Sequence, residues 1–184
     1  MDKLDFEMYR IVYKNGVLDL KALEFREGLQ RTDFVTKTIQ FDFEKPKVEH
    51  TAFVKEVVKK ICNYDENHLD RYLSCLGYAF TGDSTKLCII FYIVGILASN
   101  GKSTIFDVLE DMIPEYVCKA KKECLDVGAD LRKQINSMRG KLIVYLNEVT
   151  KKPKDTEAMK ELADGTGFSY DKLYSVSVAI FNKR

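Results

Sequence analysis

Two short β-branched and apolar runs, Arg10-Ile11-Val12-Tyr13-Lys14 and Val17-Leu18-Asp19-Leu20, flank Asn15-Gly16. Two such runs around a dipeptide that tolerates positive φ predict a β-hairpin. Phe34 to Phe41 alternates and predicts another strand, which Glu44-Lys45-Pro46-Lys47 interrupts. The period then lengthens. Phe53, Val54, Val57, Val58 and Ile61 form one helical stripe, and Leu69, Tyr72, Leu73 and Leu76 form a second. Past Gly82-Asp83-Ser84, an uninterrupted apolar run over 86–94 predicts a strand buried on both faces. Helices are expected over about 102–113, around Leu131, Ile135 and Met138, and over 156–163; strands are expected at 141–146 and 174–181. This pattern places a β-hairpin and helical domain at 1–83 and an α/β domain at 84–184.

Three segments carry chemistry. Ser99-Asn100-Gly101-Lys102-Ser103-Thr104 follows the apolar strand and opens an amphipathic helix. A phosphate-binding loop needs that setting, because backbone N–H groups and the helix N-terminus then face the phosphates. Lys102 would reach the β and γ phosphates of a nucleotide and the Ser103 hydroxyl would hold Mg²⁺. The plain alternative is a helix start capped by Ser99 or Asn100, with Lys102 in solvent. In the second segment, Leu142-Ile143-Val144-Tyr145-Leu146 ends in Asn147-Glu148, a strand closing on an acid able to polarise water or bind Mg²⁺ through water. In the third, the strand at 174–181 closes on Asn182, whose amide could hold a γ-phosphate. The loop Asp164 to Lys172 ends in an aromatic and a basic residue and is either a substrate contact or a surface hairpin.

Composition narrows the function further. The chain has 184 residues, is 46% hydrophobic and carries a formal charge of +1, so it can build a core and any nucleic-acid contact must be local. Met1 to Glu7 lacks the apolar stretch of a signal peptide, so the expected location is intracellular and cytoplasmic. Leu87 to Gly101 offers about 15 uncharged residues against the roughly 20 that cross a bilayer, so no membrane partner is expected. Five cysteines lack CxxC spacing and only His50 and His68 could join them, which argues against zinc. The basic clusters at 119–122 and 151–154 read as solvated faces.

In this order, Asn15-Gly16-Val17-Leu18-Asp19-Leu20, Leu76 to Asp83, Asn100 to Thr104, Leu146-Asn147-Glu148 and the strand closing on Asn182 resemble a superfamily III helicase of the poxvirus-type primase–helicase kind, found in large DNA viruses, phages and plasmids. The resemblance implies a P-loop NTPase core of AAA+-like fold behind a small β-hairpin and helical domain. It further implies an ATP-driven hexameric ring on single-stranded DNA, working with a primase domain or other replication proteins at a viral replication site. It would give Asn100, Gly101, Lys102, Ser103 and Thr104 to ATP, Ser103 and Glu148 to Mg²⁺, Glu148 and Asn182 to hydrolysis, and Lys172 to DNA. The chain departs from the family where Ile96 and Ala98 replace glycines and Asn147 stands where a second acid is common. It also stops at Arg184, so the core is expected to be incomplete at its C-terminus. Two alternatives stay open: a shortened nucleotide-binding or interaction module without helicase activity, and a small P-loop phosphotransferase.

Overall fold

β1 (Arg10–Tyr13) and β2 (Gly16–Asp19) form the expected hairpin, and β3 (Glu24–Glu27) pairs with β2 to give a three-stranded antiparallel sheet. A computed structural model describes residues 8–83, 90–95, 101–128, 137–138, 140–147, 152–164 and 177–183. The chain divides into two compact units, Met1–Thr81 and Gly82–Arg184.

The hairpin forms for reasons other than its Asn-Gly dipeptide suggests. Tyr13 pairs with Gly16, so the turn is Lys14-Asn15, and neither Asn15 nor Gly16 has a positive φ. Gly16 is required because a Cβ there would stand 2.1 Å from the Arg26 carbonyl oxygen on β3. Asn15 acts over a distance: its Nδ2 donates to Phe43 O at 3.1 Å and its Oδ1 accepts from Phe43 N at 2.8 Å. One side chain thus replaces two ladder hydrogen bonds and fixes residues 41–43 beside the hairpin.

The alternation at 34–41 does not become a strand. Phe34 adopts a left-handed conformation (φ 49°) after a single 3₁₀ turn at Arg31–Asp33, and only Ile39 bridges to Tyr13. The third strand comes instead from Glu-Phe-Arg-Glu, which shows little hydrophobic pattern. Its Phe25 ring stacks on Phe43 at 4.5 Å, and Tyr13 meets Phe43 edge-on at 5.1 Å, the two geometries that aromatic quadrupoles favour. Asp33 is buried as well. Its Oδ1 lies 2.5 Å from Arg26 Nη2 and 4.0 Å from Arg10, and its Oδ2 accepts from Gln30 N at 2.6 Å.

Helices α1 (Val48–Ile61) and α2 (Glu66–Thr81) follow. Asn63 and Tyr64 have positive φ and end α1; Asp65 Oδ1 accepts from His68 N at 3.0 Å and caps α2. Leu69 and Val58 are buried as the stripes require, yet Phe53 is 70% and Val54 55% exposed, so only the C-terminal half of the α1 stripe is core.

The second unit is a parallel sheet ordered β4-β7-β6-β5, from β4 (Ile90–Gly95), β5 (Val117–Lys119), β6 (Ile143–Leu146) and β7 (Ser177–Lys183). Helix α3 (Lys102–Met112) joins β4 to β5, and α4 (Thr156–Asp164) lies between β6 and β7 in the chain. The first crossover steps across the sheet in one direction and the second steps back, so the right-handed rule sends the two helices to opposite faces. Side chains obey it. Tyr145 meets Phe106 of α3 at 5.5 Å, while Val144 and Leu146 pack with Leu162 of α4 and with Met138 and Leu125. β6 is therefore buried on both faces, as its unbroken apolar sequence requires. Together the units make a mixed α/β chain.

Ahead of α4, Asp126 and Lys154 bridge as isolated β partners and as a buried ion pair, and Asp155 Oδ1 caps the helix through Glu157 N and Ala158 N. This corrects the reading of 151–154 as a solvated face. Lys152 is exposed, but the Lys154 side chain is internal because it neutralises Asp126. Among the described residues no helix is long and apolar enough to cross a membrane.

Candidate functional site

Parallel pairing puts every strand's carboxyl end on one edge of the sheet, where ligands of open α/β sheets bind. Gly95 of β4 is level with Lys183 of β7, and Leu146 of β6 with Ile180. Asn182 lies in the β4–β7 ladder opposite Val94. Helix α3 follows β4 in the chain, beginning at Lys102 after β4 ends at Gly95. Gly101 heads α3 with φ 80° and ψ 6°, a left-handed conformation that costs glycine little and other residues more. Lys102 and Ser103 occupy the first turn, half-buried, and Thr104 is exposed. Asn100, Glu148 and Lys172 lie outside the described residues, as do Ile96 and Ala98.

The α3–β6 contact fixes the level of that turn. A helix returning between parallel strands runs antiparallel to them, and Phe106 sits over Tyr145. Four residues back along α3 is Lys102, about 6 Å higher. Asn147 follows the last residue of β6, in a bend. Asn147 Oδ1 is buried and accepts no hydrogen bond from any described residue.

Below that level lies a charged cluster that the sequence pattern does not announce. The Tyr145 hydroxyl is 2.8 Å from Asp107 Oδ1 and 2.7 Å from Glu110 Oε2, so one phenolic proton serves two carboxylates. Burial first, then those two acids, holds the Tyr145 phenol well above its ordinary pKa. Lys119 completes the group: its N–H donates to Glu110 Oε1 at 2.9 Å, and its Nζ lies 3.5 Å from Asp107. The cluster anchors α3 to β5 and β6 and so holds the Gly101–Ser103 turn above the sheet edge. A tyrosine inside an otherwise aliphatic strand is the one signal of it in the sequence.

Elsewhere the chemistry is quiet. Among the described residues no group of three or more His, Cys, Asp or Glu could hold a metal ion. Burial pushes the Cys124 thiol up to about 11, an inert core cysteine. His50 and His68 are exposed beside Glu49 and Asp65.

Residues 1–75 match the family described as D5 N terminal like. The protein of Invertebrate iridescent virus 3 named as helicase 121R is 28% identical over 114 residues, 61% of this chain. The chain spans 12% of that relative's length. Among solved structures, the apo C-terminal region of NrS-1 (residues 305–718) superposes with a TM-score of 0.51 at 18% identity, covering 78% of this chain and 33% of that one, which is a likeness of fold. The D5 N-terminal-like match over residues 1–75 and the helicase-named viral relative support a relation to the viral and phage primase–helicase family.

Proposed function

We propose that residues 82–184 form the P-loop nucleotide site of a DNA-replication helicase of the viral or phage type. The observation that carries this reading is left-handed Gly101 at the head of α3, set at the carboxyl edge of a parallel sheet. There the N–H groups of the first helical turn and the Lys102 ammonium would bind the phosphates of ATP, joined by Asn100 and Thr104. The donors suit a hard cation: the Ser103 hydroxyl, the Glu148 carboxylate and the unpaired Asn147 oxygen are all oxygen ligands. Bound Mg²⁺ would neutralise charge on the phosphates. Glu148 would orient and deprotonate the attacking water, and the Asn182 amide would meet the γ-phosphate. On this reading the partners are single-stranded DNA, touched through the loop ending at Lys172, and further copies of the chain in a hexameric ring beside a primase or other replication proteins.

A second reading, a nucleotide-binding module without helicase activity, is favoured by the amide of Asn147 where an acid would strengthen the cation site. Calorimetry of ATP·Mg²⁺ binding, wild type beside Lys102→Ala, tests both readings, followed by hydrolysis with and without single-stranded DNA. Loss of one charge-assisted contact of about 3 kcal/mol should weaken binding on the order of a hundredfold. DNA-stimulated turnover supports the motor, and binding without turnover supports the module. No binding by the wild type removes both.

A further inference from the structure

Among the described residues, β1, β3, β4 and β5 border the two sheets. Three of these edges are protected. Beside β1, Ile39 bridges to Tyr13 and its N–H donates to Val12 O at 2.8 Å. β3 is four residues long, and Glu24, Arg26 and Glu27 are charged. β5 is three residues long, and its Lys119 N–H is taken by the Glu110 carboxylate. Covered edges, short strands and charges keep a sheet from recruiting another chain. β4 differs. Its six residues, Ile90-Phe91-Tyr92-Ile93-Val94-Gly95, carry no charge, and among the described residues β7 alone pairs with it.

Its side chains also stay in water where a strand of a parallel sheet is ordinarily covered on both faces. The residues of β6 are at most 1% exposed, but Tyr92 is 49% and Val94 56% exposed. Alternation puts Ile90, Tyr92 and Val94 on one face. Ile90 packs against the α4-side core, so that core reaches the first of the three and stops short of the other two.

We propose that β4 is the docking edge for a second copy of this chain, the two β4 strands pairing antiparallel about a two-fold axis at Tyr92. An axis normal to the sheet keeps each face on its own side, so facing positions must share a face. Centred on Tyr92, it sets the two Tyr92 side chains opposite each other, Phe91 opposite Ile93 of the second copy and Ile90 opposite its Val94. Aromatic pairs and aromatic–β-branched pairs are those that stabilise antiparallel ladders, and no like charges meet. Each exposed Val94 then lies against the other copy's Ile90, which continues the α4-side core across the axis. Moving the axis to Ile93 sets Phe91 against Gly95 and is the poorer register. The contact is isologous and closes at a dimer. It needs no nucleotide, so it goes beyond the reading above and does not rest on it.

The test is sedimentation velocity of the full chain without nucleotide, over a range of concentrations, for wild type, Tyr92→Lys, Tyr92→Glu and an equimolar mixture of the two variants. Wild type should dimerise. Either variant alone brings like charges face to face at the axis and should weaken dimerisation on the order of tenfold or more. The mixture, with opposite charges facing, should recover most of that loss. Because Tyr92 is half-exposed, both variants should keep wild-type hydrogen-exchange protection in β6. Exchange in the wild type gives a second readout that needs no variant: β4 amides should slow as the dimer forms while those of β1 and β2 do not change. A wild type that stays monomeric overturns the proposal, and slow β4 amides in that monomer would mean the edge is covered from within the chain. Self-association that Tyr92→Lys leaves unchanged also overturns it, by placing the contact elsewhere. So does a mixture that associates no better than its components, or a dimer whose β4 amides exchange as fast as the monomer's.

Discussion

The two units solve the same problem with opposite materials. The N-terminal sheet is antiparallel and short-stranded, and it closes on rings and fixed charges: Tyr13, Phe25 and Phe43 on one another, Asp33 between Arg10 and Arg26, and Asn15 bound to the backbone of Phe43. The second sheet is parallel and closes on aliphatic layers, with Val144 and Leu146 against α4 and Tyr145 against α3. One unit is held by directional contacts that few substitutions satisfy. The other is held by burial that tolerates exchange of shape for shape. The polar groups of the second unit gather instead near the carboxyl edge, where a ligand would meet them.

That contrast can be broken by mutation, most sharply in the aliphatic sheet. Leu146→Ala leaves a cavity in a two-sided core and should cost the second unit about 3 kcal/mol, read as loss of hydrogen-exchange protection in β6 while β1 and β2 keep theirs. Asp33→Ala is the matching cut in the first unit. It strips the partner from Arg26 and frees Gln30 N, and should cost about 2 kcal/mol there, with Asp33→Asn recovering part of it.

The same residue gives the first unit a pH signature. Burial raises the Asp33 carboxyl, but Arg26, the Gln30 N–H and Arg10 outweigh it and hold it below the ordinary carboxylate value. A depressed folded pKa means stability fully present above about pH 4 and lost as pH falls further through the folded value, so acid should melt the first unit's exchange protection in that window and Asp33→Asn should flatten the profile. Asn15→Ala removes two hydrogen bonds to Phe43 and should cost about 1–2 kcal/mol, visible as loosened ring contacts of Phe43 by NMR. Smallest is Tyr145→Phe, about 1 kcal/mol, since Lys119 still faces both acids; its measurable effect should be faster exchange at the start of α3.

What the sequence discloses of this fold follows the same division. β6 and the helix at 102–112 are legible because parallel-sheet strands are continuously apolar and crossover helices keep a 3.6 period. β3 is not, because three of its four residues, Glu24, Arg26 and Glu27, are charged and Phe25 is its one apolar side chain. β5 is three residues long and shows no period at all. The 34–41 alternation misleads because Phe34 turns left-handed where a strand must stay extended. At the site, Gly101, Lys102 and Ser103 can be read from their place between strand and helix. The buried oxygen of Asn147 cannot, since burial at the end of a strand is a tertiary property. The hairpin is legible from Asn15-Gly16, although its turn falls at Lys14-Asn15 and the causes, a carbonyl 2.1 Å from a hypothetical Cβ and a side chain bound 28 positions away, are tertiary.

The pairing of β4 has a consequence for the order of assembly. Ile90 finds its partner in Val178, 88 positions later, and among the described residues β7 alone pairs with β4. Contacts so far apart in the chain close late, after shorter-range pairs such as β1–β2 have formed. During synthesis the strand that leads to Gly101 must wait, apolar and single, until residues 177–183 have left the ribosome. The N-terminal sheet, whose partners lie within 20 positions, is complete long before, and the β4–β7 edge of the parallel sheet is among the last parts of the molecule to come into being.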